Sequence, residues 1–539
     1  MIPSFIKYLL ALSLLLSHLL PTMAQTTISG QISDMEDAAL VGANVYLEGT
    51  YDGASSNSSG MFELHTDEVG RQVLCIEFIG FEKYKTELNL DGTDIQLPPV
   101  SLDEEFNELT AVTITAGTFE AGDKKKSISL NSIDMLTTAG SAGDVFGALQ
   151  SLPGTTTVGE SGKLFVKGGD SRESKTYIDG SLVYVPYSSS SPNSSVRGRF
   201  SPFMFSGTMF STGGYSAEYG QALSSVLSLQ THAVQVQDQI NISLLSVGAE
   251  LGGTKSWENA SLTSNLKYEN LGPYMSVFPQ NRDWEAEPLT LSGDLSFRLK
   301  TGKSGMLKFY ANINQSTLST REQNLNKPGD SYLYSLVNDN YYFNASWIGE
   351  LAEDWILTLA GSYTYNVDDM AVDSLPFKEQ LKGTHIKASV KHRINEKAKI
   401  IAGTELFSKN YGMEFPVMDR LGSRAFQNNS LAGFLEGEIY ASSKFISRIG
   451  IRAEYSDYLK KTSVAPRLST AYKINEKSQL SLSYGWFFQD PEDEFMLYTD
   501  RFNYERADHL TLNYMLNGDR RVLRSELYYK DYKNLVKYE

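Results

Sequence analysis

The chain has 539 residues, a formal net charge of −16, one cysteine and six histidines. The acidic balance argues against nucleic acid as a partner, and the lone Cys75 cannot form an internal disulfide. After Ala24 no apolar run reaches the ~18 residues of a membrane helix, so helical spans are excluded.

Residues 1–24 read as a secretory signal peptide. Lys7 precedes the apolar run Tyr8–Leu20, and Thr22-Met23-Ala24 offers a cleavage site. Residues 25–99 alternate short strands with glycine turns: Thr27–Ser33, Ala43–Glu48, Gly60–Leu64, Arg71–Ile79 and Phe81–Leu90. That spacing predicts a small β-sandwich, with Cys75 a buried core thiol in Val73–Phe78. Residues 100–117 form a linker that begins acidic and turns β-branched around Val112 and Ile114. Such a strip can remain a plain connection or add itself to the edge of a partner's sheet. Residues 118–232 are mixed α/β. Ser141–Leu152 reads as a helix stopped by Pro153-Gly154, then come short strands in "KLFVKGG" and "KTYIDGSLVYVPY". A polar loop and the small-residue stretch "GGYSAEYGQALSSVLSLQT" (Gly213–Thr231) complete the segment.

Residues 233–539 follow a two-residue period. Leu289, Leu291, Leu295, Phe297 and Leu299 alternate with Thr290, Ser292, Asp294, Ser296 and Arg298. Ile449, Ile451, Ala453 and Tyr455 alternate with Gly450, Arg452, Glu454 and Ser456. Short turns, as at Arg393–Lys399 and Lys473–Gln479, alternate with long polar connections at Asn270–Pro288, Gln315–Asn340, Asn366–Gly383, Asn410–Asn429 and Gln489–Asp508. The pattern predicts an antiparallel transmembrane β-barrel with about 14 strands of roughly ten residues, apolar toward lipid and polar toward the lumen. Gln239–Lys255 holds one strand or a hairpin. The fold class is therefore mainly β: sandwich, mixed α/β domain, barrel. No Ser/His/Asp, metal-ligand or phosphate-loop constellation occurs, so no catalytic residue, metal or cofactor is expected and the chain does not read as an enzyme.

Several motifs resemble those of the TonB-dependent outer-membrane receptors. "DVFGALQSLPGT" is similar to the first plug helix, and "LFVKGGD" to the plug's Arg-Gly motif, with Lys167 for arginine beside Gly168 and Gly169. "TYIDGSLVYVPY" matches the plug hairpin at Ile178, Asp179 and Gly180, and Gly213, Gly214, Tyr219 and Gly220 fall at the end of the plug. Residues 25–99 resemble the carboxypeptidase-regulatory-like domain, which carries no peptidase residues. The resemblance implies a plug at 118–232 and a barrel at 233–539. It also places a TonB box at Leu109, Thr110, Ala111, Val112, Thr113, Ile114, Thr115 and Ala116, for capture by the inner-membrane coupling protein TonB. Ala111 and Thr113 depart from the usual acidic residue and valine.

The expected partners are TonB, outer-membrane lipid and an imported substrate that the sequence does not name. The N-terminal sandwich is expected in the periplasm. Lys167, Asp170, Arg172 and Asp179 stand beside plug glycine turns and read as ion-pairing residues. A passive porin-like channel and a non-transporting surface adhesin remain alternatives. A last expectation concerns size. A ~115-residue plug has an equivalent radius of ~17 Å, whereas fourteen strands leave ~9 Å inside and twenty-two leave ~17 Å. The barrel is on that ground expected to be incomplete, lacking roughly eight strands.

Overall fold

The computed structural model describes residues 26–102 and 128–537, except 35–39, 41–42, 58, 79–83, 131–137, 139–143, 160, 192–193, 236, 279–281, 303–304, 325–326, 328, 353, 396, 419, 443, 476–477 and 519–520. The signal segment 1–24 and the strip Leu109–Ala116 lie outside the described residues. The chain forms two compact units, one of them the N-terminal domain and the other everything from the plug onward.

The N-terminal unit is built from two sheets. In one, Thr26–Asp34 pairs with Met61–Thr66, Ile95–Gln96 and Val100–Leu102; the other runs Gly53–Ser55, Asn44–Leu47, Gly70–Glu77, Tyr84–Leu90. Alternation puts Ile28, Ile32, Phe62 and Leu64 of one sheet against Val45, Leu47, Leu74 and Ile76 of the other. Cys75 is fully buried. The linker expected from Val100 starts later, because Val100 and Leu102 are buried and pair with Ile32 and Asp34.

In the second unit a mixed five-stranded sheet runs Ser181–Val183, Ser174–Ile178, Ser225–Thr231, Phe205–Ser211, Ile128–Leu130. The helix in front of it is Val145–Leu149, shorter than the Ser141–Leu152 expected from its apolar spacing. Asp144 caps it, its side chain accepting from the Gly147 amide. Around this domain stands one fifteen-stranded antiparallel sheet in strict chain order, from Gln239–Leu245 to Arg521–Lys533. The Gln239–Lys255 region is a hairpin, Gln239–Leu245 with Gly248–Trp257.

The large sheet inverts the usual burial rule. On Asp283–Thr301, Ser292, Asp294, Ser296 and Arg298 are buried while Leu291 and Leu295 are exposed; on Phe445–Ser456, Arg452 and Glu454 are buried while Ile449 and Ile451 are exposed. Apolar side chains face outward and polar ones face the plug, as hydrocarbon outside the sheet requires. Among the described residues no helix is long and apolar enough to cross a membrane.

Strand length departs from the sequence reading. Ser331–Ala352, Leu375–Asn395 and Arg420–Ser442 run 22, 21 and 23 residues. A membrane needs only about 9–11. The expected long connections at Gln315–Asn340, Asn366–Gly383 and Asn410–Asn429 are mostly strand continued past the apolar band. Their inner faces stay buried there, at Leu318, Tyr334, Leu336, Leu381, Tyr411 and Phe426, but polar runs such as Asn338-Asp339-Asn340 and Asp368-Asp369 interrupt the apolar pattern, so the segments look like loop.

Candidate functional site: the plug and its dock

Plug side chains contact the inner face of the large sheet from Glu250 near its start to Lys530 near its end. The densest contacts gather on the small-residue stretch. Gly213 and Gly214 have φ of 145° and 66°, which only glycine adopts readily. They turn the chain so that the carbonyls after them face the wall. The Gly214 carbonyl accepts from Arg448 Nη2 at 2.6 Å. Arg467 Nη1 donates to the Ser216 and Tyr219 carbonyls, and its guanidinium lies 4.5 Å from the Phe487 ring centroid. Glu436 accepts from the Ser216 hydroxyl at 2.7 Å and from the Ala217 amide at 2.8 Å. The Gln221 amide donates to Glu454. Tyr177, within the plug, donates to the Gly220 carbonyl at 3.0 Å.

Beneath this dock lies a buried charge cluster. Glu405 accepts from Arg452 Nη1 at 2.5 Å, with His385 Nε2 at 3.2 Å and Lys387 Nζ at 3.8 Å. Arg452 also meets Glu454 at 3.0 Å, and Lys387 meets Glu218 of the plug at 2.8 Å. His385 Nδ1 accepts from the Leu182 amide of the plug hairpin. Buried charges persist only when paired in this way.

Gly220 is needed for close approach rather than for its backbone angle. A Cβ there would land on the Arg452 guanidinium. Gly220→Val is expected to loosen the dock by about 1–3 kcal/mol, the usual cost of overpacking. Hydrogen exchange at the Ala217 amide, which Glu436 holds, measures this; unchanged protection would contradict it.

The motif residues singled out in the sequence occupy a second set of contacts. Lys167 ion-pairs with Glu526, and burial lowers its pKa against that pairing. Arg172 meets Glu505 at 3.0 Å, and neighbouring Glu173 accepts from the Tyr532 hydroxyl at 2.6 Å and from Lys530 at 3.3 Å. Asp179 accepts from Lys308 at 3.2 Å and from the Thr231 hydroxyl at 2.5 Å. Asp170 caps the short turn before Ser174, its side chain accepting from the Arg172 amide. Gly168 and Gly180 have positive φ, and the Ile178 carbonyl accepts from Asn344. Tyr219 packs edge-on against Tyr177. On the strands that precede the charge cluster, buried Arg199 donates to Asn314, Asn338 and Asn366, two of which donate in turn to Asp368.

A cavity of about 100 Å³ lies between the plug hairpin and the wall, lined by Lys175, Tyr184, Lys409, Asn428, Asp490 and Asp493 among others. Burial, then the nearby Lys409 charge, brings the Lys175 ammonium down to about 8. The folded chain therefore loses this proton before the unfolded chain does. Plug stability should rise with pH between about 8 and the usual lysine range, because there the unfolded state binds more protons. The slope should flatten in Lys175→Met; an equal slope in both proteins would contradict the assignment. Among the described residues no group of three or more His, Cys, Asp and Glu is placed to hold a metal ion.

The dock on Gly213–Gln221 was not foreseen residue by residue. Arg452 and Glu454 were visible as inward-facing polar positions. Glu405, Glu436, Arg448 and Arg467 carry the same signal, a charge at an inward position of an alternating strand.

Comparison with known proteins gives this architecture its class. A family model described as the CarboxypepD_reg-like domain matches residues 28–114. No curated protein matches the sequence. Among solved structures, a mutant form of the ferric enterobactin receptor of Pseudomonas aeruginosa aligns with 76% of this chain and 71% of its own, at 11% identity and a TM-score of 0.58. The outer membrane transporter YddB of Escherichia coli aligns over 75% and 69%, at 10% identity and 0.59. The ferric yersiniabactin uptake receptor FyuA of Yersinia pestis aligns over 76% and 72%, at 11% and 0.58. The chain has the plug-and-barrel fold of the TonB-dependent outer-membrane receptors, with a carboxypeptidase-regulatory-like domain before it.

Proposed function

We propose that the protein imports a substrate across the bacterial outer membrane, driven by TonB. The observation that carries this reading is the plug itself. It stands inside the curved sheet and is held to the inner wall by ion pairs and hydrogen bonds, so a solute passes along that wall only if the plug moves. A passive channel has no use for such a plug, and an adhesin has no use for a polar inner wall built to hold one. Moving the plug requires work, and the outer membrane has no nucleotide supply. TonB supplies that work by capturing Leu109–Ala116 as an added strand and pulling. The N-terminal sandwich and the strip then lie in the periplasm. Substrate binds the long-loop end and the apex loop Tyr187–Arg199. Ferric siderophores, named for two of the matched receptors, are the first substrates to screen.

One test needs no substrate. The purified periplasmic domain of TonB should retain the full chain, and Val112→Pro or Ile114→Pro should abolish that retention and any uptake, with barrel abundance unchanged. Undiminished binding by both proline variants would contradict the assignment of the strip.

A further inference from the structure

A short helix lies outside the dock contacts described above. The loop helix Gly272–Val277 follows the strand Ala260–Asn270, and none of its residues is buried. Tyr274, Val277 and Phe278 are 36%, 68% and 56% exposed, and the Tyr274 and Phe278 rings lie 5.0 Å apart. The stretch Leu271–Phe278 reads "LGPYMSVF", and no charged residue occurs between Glu269 and Arg282. The long-loop connection after Gln489 is the opposite, "DPEDEFMLYTDRFNYE", charged throughout. An uncharged, apolar, exposed segment is out of place in water.

Its level on the barrel says what covers it. Trp257, at the short-turn end beside Ala260, and Tyr268, toward the other end, are both exposed on the outer face, with Leu251 and Leu266 exposed between them. Eight strand steps of ~3.4 Å, tilted ~40°, separate the two aromatic levels by ~21 Å, against an apolar band of about 25 Å in such barrels. Trp and Tyr mark the two rims of that band. On the next strand Leu289 and Leu291 are exposed opposite Asn270 and Tyr268, so the apolar surface ends there at the same height. The helix begins where the band stops, and its apolar side chains continue the band.

We propose that Leu271–Phe278 is a membrane-interface anchor. It lies at the boundary between headgroups and acyl chains, with Tyr274, Val277 and Phe278 in the lipid, and pins the first hairpins of the barrel at a fixed depth. The inference rests on the outer face meeting lipid and not on the import reading. It also separates this connection from the charged one after Gln489, which packs on the inner wall through Met496, Tyr504 and the Asp493–Lys409 pair.

Spin labels test it on the full chain in phosphatidylcholine nanodiscs, in a Cys75→Ala background. Labels go at V277C, at L266C on the outer face, and at M418C on a hairpin tip where Met418 is 98% exposed. The expected result is an oxygen-to-nickel-chelate accessibility ratio at position 277 close to that at 266 and several-fold above that at 418. Position 277 matching 418 would overturn the proposal and place the helix in water. A label at 277 shielded from both reagents would also overturn it, and would mean a protein contact. Nickel access at both 266 and 277 would overturn the lipid-facing assignment of the sheet, and this inference with it.

Discussion

Glu405→Ala is expected to destabilise the plug dock by about 3–5 kcal/mol, the cost of leaving buried charges without their partner. The carboxylate holds Arg452, and His385 and Lys387 stand against it; all four side chains are buried. Removing it leaves Arg452 with Glu454 alone and Lys387 with Glu218 alone as carboxylate partners in a buried site. The loss should not stay local, because His385 holds the Leu182 amide and Lys387 holds Glu218 of the plug. The denaturant midpoint for plug release, followed by hydrogen exchange across Gly213–Gln221, measures the effect. Removing both partners in E405A/R452M should recover a large part, since an absent pair costs less than a broken one. A single variant within about 1 kcal/mol of the parent, a typical exposed-pair value, would contradict this role for the cluster.

The second large effect is on the permeability barrier. Arg448, Arg452 and Arg467 together hold the carbonyls of Gly214, Ser216 and Tyr219 and neutralise Glu405, Glu436 and Glu454. Replacing all three by alanine removes the guanidinium donors from those carbonyls and takes the arginine partner from each of the three carboxylates. The plug should then sit loosely, and cells carrying the triple variant should become sensitive to large antibiotics that the outer membrane normally excludes. Heat-modifiable gel mobility checks that the barrel still folds. An intact barrier with a normally folded barrel would show that these arginines do not hold the plug in place.

Much of this arrangement was legible in the sequence. Leu291 and Leu295 against Ser292, Asp294 and Ser296 told which face of that strand points outward, because a two-residue period admits one assignment. The expected count of about fourteen strands agrees with the fifteen of the large sheet, and of the two alternatives for Gln239–Lys255 the hairpin is the one present. Glycine spacing placed the Asp179-Gly180 turn and the bend at Gly213-Gly214. The dock was less legible for a physical reason. Arg452 meets the carbonyls of a segment more than two hundred residues away, and nothing local to either segment encodes that meeting. The strand extensions were hidden because polar runs such as Asn338-Asp339-Asn340 read as loop, while the contacts that bury Leu318, Leu336, Tyr411 and Phe426 are encoded in no local pattern. The helix at Val145 was overextended because its apolar spacing runs past Leu149, where the chain turns through Ser151 and Leu152 toward Pro153.

The central claim is a plug docked on the inner wall of the large sheet that leaves it only when pulled. Pulling the purified full chain by its N-terminus in a single-molecule force experiment tests it most directly. The account predicts that the plug comes away from the sheet in a distinct force step while the strands stay paired, and that the step force falls in Glu405→Ala. Plug release with no force step, or a step unchanged in Glu405→Ala, would contradict the account.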